Sequence, residues 1–353
     1  RGAAAAAVPA GLYLAVSIAD QGATPGWWLV AAVAWVGLLL VVSGWEDTVA
    51  APRLLGRPGR AGAVAAAATG VLGVALLLIG LPVVDILAVL FLRITGRRAD
   101  GYHELQTLFQ LLDWGDEVRL AVRDDAGVTG NGPDYGVPER DDLAVRAARL
   151  LQDETGCRLG ADIRVTKRVP PGSGMGGGSS DAATVLAVLN RLWECGLTID
   201  ELAELGAGLG ADVPVFVRGR SALASGVGER LEPVCLGERH YVLVFPGIHI
   251  STRPVLREAE LRRDSRPVDT GAVLDHAWRN DCEALVRKRF PAMDEAFRRL
   301  ARWGRPMMTG TGSGIFIEVA EKSAAIASAH EIKSLYNSRA ATGVDESPLH
   351  VKL

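Results

Sequence analysis

The apolar positions of this chain follow two different rhythms. Through about residue 84 they run on with almost no polar partner: Trp27 to Val42 is uncharged with tryptophans at its flanks (Trp27, Trp28, Trp45), and Ala61 to Val84 is uncharged throughout. Both reach or approach the ~20 residues that a membrane-spanning helix needs. Ala3 to Ala19, broken by Pro9, is a third and weaker stretch of this kind. Arg53, Arg57 and Arg60, with Pro52 and Pro58, make a short basic loop between the two better spans, which places that loop on the cytoplasmic side.

From Leu90 onward the texture is that of an α/β protein. Leu90, Leu92 and Ile94 predict one face of a strand ending at Thr95-Gly96, and Val118 to Val122 predict another, with turns at Asp124-Asp125 and Gly130 to Pro133. Asp141 to Leu151 predicts an amphipathic helix through Leu143, Ala147, Leu150 and Leu151. Ile163-Arg164-Val165 predicts a strand running into a glycine-rich loop. Beyond it Ala182, Val185, Leu186, Leu189 and Trp193 recur at helical spacing, with Ser179 and Ser180 at the expected helix start. Thr198 and Glu201 form a capping box for a helix carrying Leu202, Leu205 and Leu209, which stops at Gly208 to Gly210.

Charge sharpens the division. Of 79 charged side chains in 353 residues, only eight precede residue 93. A net charge of -3 gives no support to a nucleic-acid surface, and Arg287-Lys288-Arg289 reads as a solvated helix face, so the expected partner is a small molecule and not nucleic acid. The four cysteines are far apart with no CxxC pair, which suggests neither zinc nor a disulfide framework.

The candidate chemistry lies in Pro170-Pro171-Gly172-Ser173-Gly174-Met175-Gly176-Gly177-Gly178-Ser179-Ser180. Five glycines in positions 172 to 178 let the backbone approach a ligand closely and turn successive N–H groups into one concavity, which suits an anion. The positive end of the following helix faces the same anion. No Lys-Ser/Thr pair closes the loop, so it is not a Walker A, and its spacing is not that of a dinucleotide fingerprint. A flexible linker is the plain alternative, but linkers rarely lead straight into a core-facing helix.

With that loop, Gly96 to Leu105, Leu209 to Phe216, Thr309 to Gly314 and Gly343 to His350 all in place, residues from about 90 to 353 resemble the GHMP small-molecule kinases. The resemblance implies a two-lobed α/β (α+β) fold. A lobe like ribosomal protein S5 domain 2 would span 85-238 and bind ATP, a ferredoxin-like lobe would span 239-353, and the hydrophobic putative membrane segment 1-84 would precede both. It also implies roles. Pro170 to Ser180 would cradle the ATP phosphates, a hydroxyl of Ser179 or Ser180 would help hold Mg2+, with Ser180 taken as the metal ligand, and Asp212 would take the proton from the attacking substrate hydroxyl. Tyr102 and His103 would face the cytidine of a cytidine diphosphate-linked methylerythritol, by stacking and by hydrogen bonding to the base edge. The kinase part would be cytoplasmic, with membrane association through residues 1-84.

Where the match breaks is equally specific. The family opens its first strand with Pro-Ala-Lys-x-Asn, and these positions fall on Asp85, Ile86, Leu87, Ala88 and Val89. The lysine expected beside Asp212 is Leu87, and the asparagine is Val89. Asp142 stands where the family usually has an asparagine near the adenine, and Leu256 where an aromatic would complete a cytosine sandwich. Two readings stay open: an active ATP-dependent kinase, or a membrane-tethered nucleotide-binding protein whose catalysis is impaired.

Overall fold

The computed structural model describes residues 79–81, 85–269, 271 and 278–352. The uncharged stretches Ala3 to Ala19 and Trp27 to Val42 lie outside them. Of Ala61 to Val84 only Ile79–Leu81 is described, and it is a strand (β1) rather than the end of a helix. Among the described residues no helix is long and apolar enough to cross a membrane.

Gly80–Leu353 forms one compact unit. It begins with strands β2 (Ile86–Arg97), β3 (His103–Leu112), β4 (Glu117–Arg123) and β5 (Val128–Gly130). Helix α1 (Leu143–Thr155), strand β6 (Gly160–Thr166) and helices α2 (Gly177–Leu192), α3 (Ile199–Ala207) and α4 (Val213–Arg218) follow. The rest comprises β7 (Ala222–Gly226), β8 (Arg230–Pro233), β9 (Arg239–Phe245), α5 (Thr252–Arg257), α6 (Glu283–Arg289), α7 (Pro291–Leu300), β10 (Pro306–Met308), β11 (Ile315–Val319), α8 (Lys322–Ile332), β12 (Asn337–Val344) and α9 (Pro348–Lys352).

A four-stranded sheet runs in the order β1-β4-β6-β5. An eight-stranded sheet runs β10-β11-β9-β12-β3-β7-β8, with β2 paired to β3. Residues 239–344 thus join the earlier strands through β12, whose Gly343 and Val344 pair with Leu112 and Leu111 of β3.

Strand β2 is buried on both faces, which explains its unbroken apolar run. Ile86, Ala88 and Leu90 pack with Leu108, Met175, Tyr241 and Phe316 in one core cluster, whereas Leu87 and Val89 join Phe109, Leu111, Val213 and Phe216 in another. The register of β2 against β3 slips between Val89 and Phe91, so Leu90 and Phe91 enter the same cluster while Leu92 and Ile94 enter the other. The single face expected for Leu90, Leu92 and Ile94 is therefore divided, because a bulge inserts one residue and inverts the period-two alternation.

The helix ends follow their local chemistry. Asp142 caps α1 by accepting from the Ala144 N–H at 3.0 Å, and Gly156 closes it in the left-handed region at φ 68°. The capping box of Thr198 and Glu201 is complete. Helix α2 starts at Gly177, earlier than Ser179, because Gly176 at φ 68° turns the chain directly into it; the two serines lie inside the first turn. Val213 to Val217, β-branched and strand-like in sequence, is held as a helix by Pro214 in its first turn and by burial of all five residues.

Candidate active site

The phosphate-loop candidate is a backbone structure first. Gly172, Gly174 and Gly176 adopt φ of 72°, 71° and 68°, alternating with ordinary residues, and this alternation bends N–H groups toward a common point. The loop and the opening turn of α2, together with Leu143, Lys167 and Val169, line a cavity of about 220 Å3. All the residues expected to cradle phosphates except Ser180 line it.

What holds the loop in shape comes from the other glycine motif. The Gly314 N–H donates to the Ser173 carbonyl at 2.8 Å, and the Thr309 hydroxyl accepts from the Val89 N–H at 2.9 Å while donating to the Gly174 carbonyl at 3.2 Å. A Cβ on Gly174 would lie 2.8 Å from the Thr309 carbonyl oxygen, so the two loops touch backbone to backbone. Asn280 donates to the Met308 and Gly310 carbonyls at 2.8 and 2.7 Å and braces the second loop from behind.

The two serines diverge. Ser180 is buried and its hydroxyl donates to the Asp85 carbonyl, whereas Ser179 is half-buried with its hydroxyl beside Gly210, two residues before Asp212. The Ser347 hydroxyl donates to the Asp85 carboxylate, which ties the closing motif of the chain to the start of β2.

Asp212 is the N-terminal flank of α4, yet its side chain makes no capping bond. It is half-exposed at the surface but hemmed in by protein, and burial pushes its pKa up; among the described residues no cation offsets that shift. Leu87 lies nearby in the chain fold, in the same core cluster as Val213 and Phe216 of α4. Its side chain is buried, with one methyl 3.7 Å from where a Gly176 Cβ would stand, next to the Phe216 ring of α4.

One cation does reach the loop, and sequence reasoning missed it. Lys167 donates to Asp181 at 2.9 Å and to Asp116, whose other oxygen accepts the Arg168 and Val169 N–H groups at 2.6 and 2.9 Å. Burial pushes the Asp181 pKa up, against the pull of Lys167. The available signal was a lysine placed just where a strand ends and the glycine loop begins. Asp142 is also committed: besides capping α1 it accepts from the Tyr135 hydroxyl at 2.5 Å.

Tyr102 and His103 lie at the turn between β2 and β3. Tyr102 is 66% exposed, whereas His103 is half-buried and accepts from Arg263 Nε at 3.0 Å. Burial, then the nearby Arg263 and Arg97, lower the His103 pKa. A run of contacts connects this residue to the glycine loops: Thr311 of the second glycine loop meets Thr252 of α5 at 2.8 Å, and Arg263 joins the Leu256 carbonyl of α5 to His103. Leu256 itself is half-buried. Among the described residues no cluster of three or more His, Cys, Asp or Glu side chains could hold a metal by itself.

A glycine nest opening a helix, locked by a second glycine turn on a mixed α/β frame, defines a GHMP-type small-molecule kinase. Residues 142–220 match the family description "GHMP kinases N terminal domain". Over 266 residues the chain is 52% identical to 4-diphosphocytidyl-2-C-methyl-D-erythritol kinase of Xanthomonas axonopodis pv. citri (strain 306), covering 74% of this chain and 89% of that protein. It is 50% identical over 267 residues to the protein of the same name from Halorhodospira halophila (strain DSM 244 / SL1), covering 75% and 93%. A crystal structure of 4-(cytidine 5'-diphospho)-2C-methyl-D-erythritol kinase superimposes with a TM-score of 0.66 at 35% identity, over 74% of this chain and 97% of that one. The chain belongs to the 4-diphosphocytidyl-2-C-methyl-D-erythritol kinase family.

Proposed function

We propose that this protein transfers the γ-phosphoryl group of ATP to the 2-hydroxyl of 4-diphosphocytidyl-2-C-methyl-D-erythritol, a step of non-mevalonate isoprenoid precursor synthesis. The observation that carries the reading is the left-handed glycine nest at the start of α2 in a chain half identical to kinases of that name. The substrate oxygen attacks the γ-phosphorus, the bond to the β,γ-bridging oxygen breaks, ADP leaves, and the hydroxyl proton passes to Asp212. A carboxyl whose charge is disfavoured by burial is a stronger base than a solvated one, which suits Asp212 to that role. Loop N–H groups and the α2 terminus neutralise charge on the phosphates.

A kinase of this family would use Mg2+, most of whose ligands would come from phosphates and water. Ser179 would supply the nearest hydroxyl, since that of Ser180 is donated to Asp85. The ion would supply charge neutralisation on the transferring group. Tyr102 and His103 supply the base contact. Full-length protein incubated with MgATP and the substrate is expected to release ADP; a folded protein at high concentration with no turnover overturns the proposal.

A second reading, nucleotide binding without transfer, is favoured by one observation: burial alone acts on Asp212, with Leu87 in the place of the family lysine. It predicts ATP binding without ADP release, and transfer restored by Leu87→Lys combined with Val89→Asn.

A further inference from the structure

His103 is held by one side chain, and that side chain can only donate. Arg263 Nε stands 3.0 Å from His103 Nε2, and a guanidinium has five N–H groups and no lone pair to offer. Nε2 must therefore accept, and in a neutral imidazole the single proton then sits on Nδ1. The rest of the guanidinium leaves no freedom to reverse this. Its terminal nitrogens donate to the carbonyls of Leu261 at 3.0 Å, Leu256 at 2.9 Å and Glu258 at 2.6 Å. Four bonds to four partners fix the plane of the fork and hence the ring it faces.

The imidazole is also kept uncharged. Burial, then Arg263 from the segment after α5 and Arg97, opposite His103 in the β2–β3 register, oppose a second proton. The one carboxylate adjacent on β3, Glu104, faces Arg98 at 3.9 Å and Arg230 at 3.8 Å. No described residue bonds His103 Nδ1.

We infer that Arg263 is a positioning residue that fixes the Nδ1–H tautomer of His103, so that the site offers the nucleobase an N–H donor and selects cytidine over uridine. The inference rests on the reading of His103 as a base contact. N3 of cytosine carries a lone pair and accepts from Nδ1–H, whereas N3 of uracil carries a hydrogen and meets that donor head-on. One fixed proton on the protein then separates two nucleobases of the same shape, by leaving a donor unpaired against the wrong one.

The test reads tautomer and binding separately, on the full chain. With 15N-labelled histidine, the His103 signals, assigned by their loss in His103→Gln, are expected to show a protonated Nδ1 and an unprotonated Nε2 without any ligand. Arg263→Met is expected to shift them toward Nε2–H. It should weaken binding of the cytidylyl substrate roughly tenfold, the worth of one neutral hydrogen bond, and erase its preference over the uridylyl counterpart. Arg263→Lys, which can still donate to Nε2, is expected to restore both signatures, a rescue that a purely structural role would not produce. A wild-type ring protonated on Nε2, or an Arg263→Met protein with tautomer and preference unchanged, overturns the inference alone. If His103→Gln leaves cytidylyl binding unchanged, the base-contact reading falls and the inference falls with it.

Discussion

Lys167 Nζ donates to Asp181 Oδ2 at 2.9 Å, beneath the loop that the glycines make. The same ammonium serves Asp116, and all three side chains are at most 13% exposed. Replacing Lys167 with Met leaves two buried carboxylates without their cation. Breaking a buried pair from one side costs about 3–5 kcal/mol. Urea unfolding of Lys167→Met is expected to show a loss of this size, with ATP affinity reduced as the loop loses its floor.

The Asp181 carboxyl links that pair to pH. Its folded pKa is raised from 3.8 to about 7, chiefly by burial. A raised carboxyl pKa means that the folded state holds the proton more tightly than the unfolded chain. The stability it contributes is complete below about pH 4 and declines as pH rises toward 7. Asp181→Asn removes this titration, so the difference in unfolding free energy between wild type and variant is expected to change across pH 4 to 7, in favour of the variant at the upper end. A constant difference across that range would show that Asp181 titrates normally.

In the proposed mechanism, catalysis turns on Asp212 and on Leu87, which stands in the position of the family lysine. Because burial raises the Asp212 pKa and no cation lowers it, the acid limb of the kcat/KM profile is expected to lie above the ordinary carboxylate range. Leu87→Lys with Val89→Asn should move that limb to lower pH and raise kcat by roughly 10²- to 10³-fold, the effect of one preorganised charge at a transition state. Asp212→Asn is expected to abolish transfer in either background while leaving ATP binding intact, measured by calorimetry.

Gly174 offers a test of the cradle itself. At φ 71°, and with a Cβ destined to meet the Thr309 and Gly312 carbonyl oxygens at 2.8 and 2.9 Å, alanine there must either push the two glycine loops apart or strain the backbone. Gly174→Ala is expected to lose about 1–3 kcal/mol of stability and to weaken ATP binding more than binding of the cytidylyl substrate. Equal weakening of both ligands would place the loop's role elsewhere.

Much of this was legible in the chain, because the signals are local. The capping box at Thr198, the amphipathic helix expected over Asp141 to Leu151, the strand before the loop and the glycine run each depend on residues within a few positions of one another. A strand at Leu90 to Ile94 was visible, but its burial on both faces and its bulge were not, since nothing in Leu90-Phe91 distinguishes an inserted residue from a regular one. Ser180 looked equivalent to Ser179; only the carbonyl of Asp85, 95 residues earlier, separates their roles.

The sequence by itself determined that a glycine-rich backbone loop opens a helix, because glycine spacing and helical periodicity act over a few ångströms of the same chain. Tertiary structure decided which charges meet that loop and which do not. Lys167 is matched by Asp116, 51 residues away, and Asp181; His103 accepts from Arg263, 160 residues away; and Leu87 packs in the core with Phe216 of α4. Electrostatic and hydrogen-bond partners are selected by proximity in space, and proximity across so many residues is set by how the sheets pair and pack, not by any local pattern.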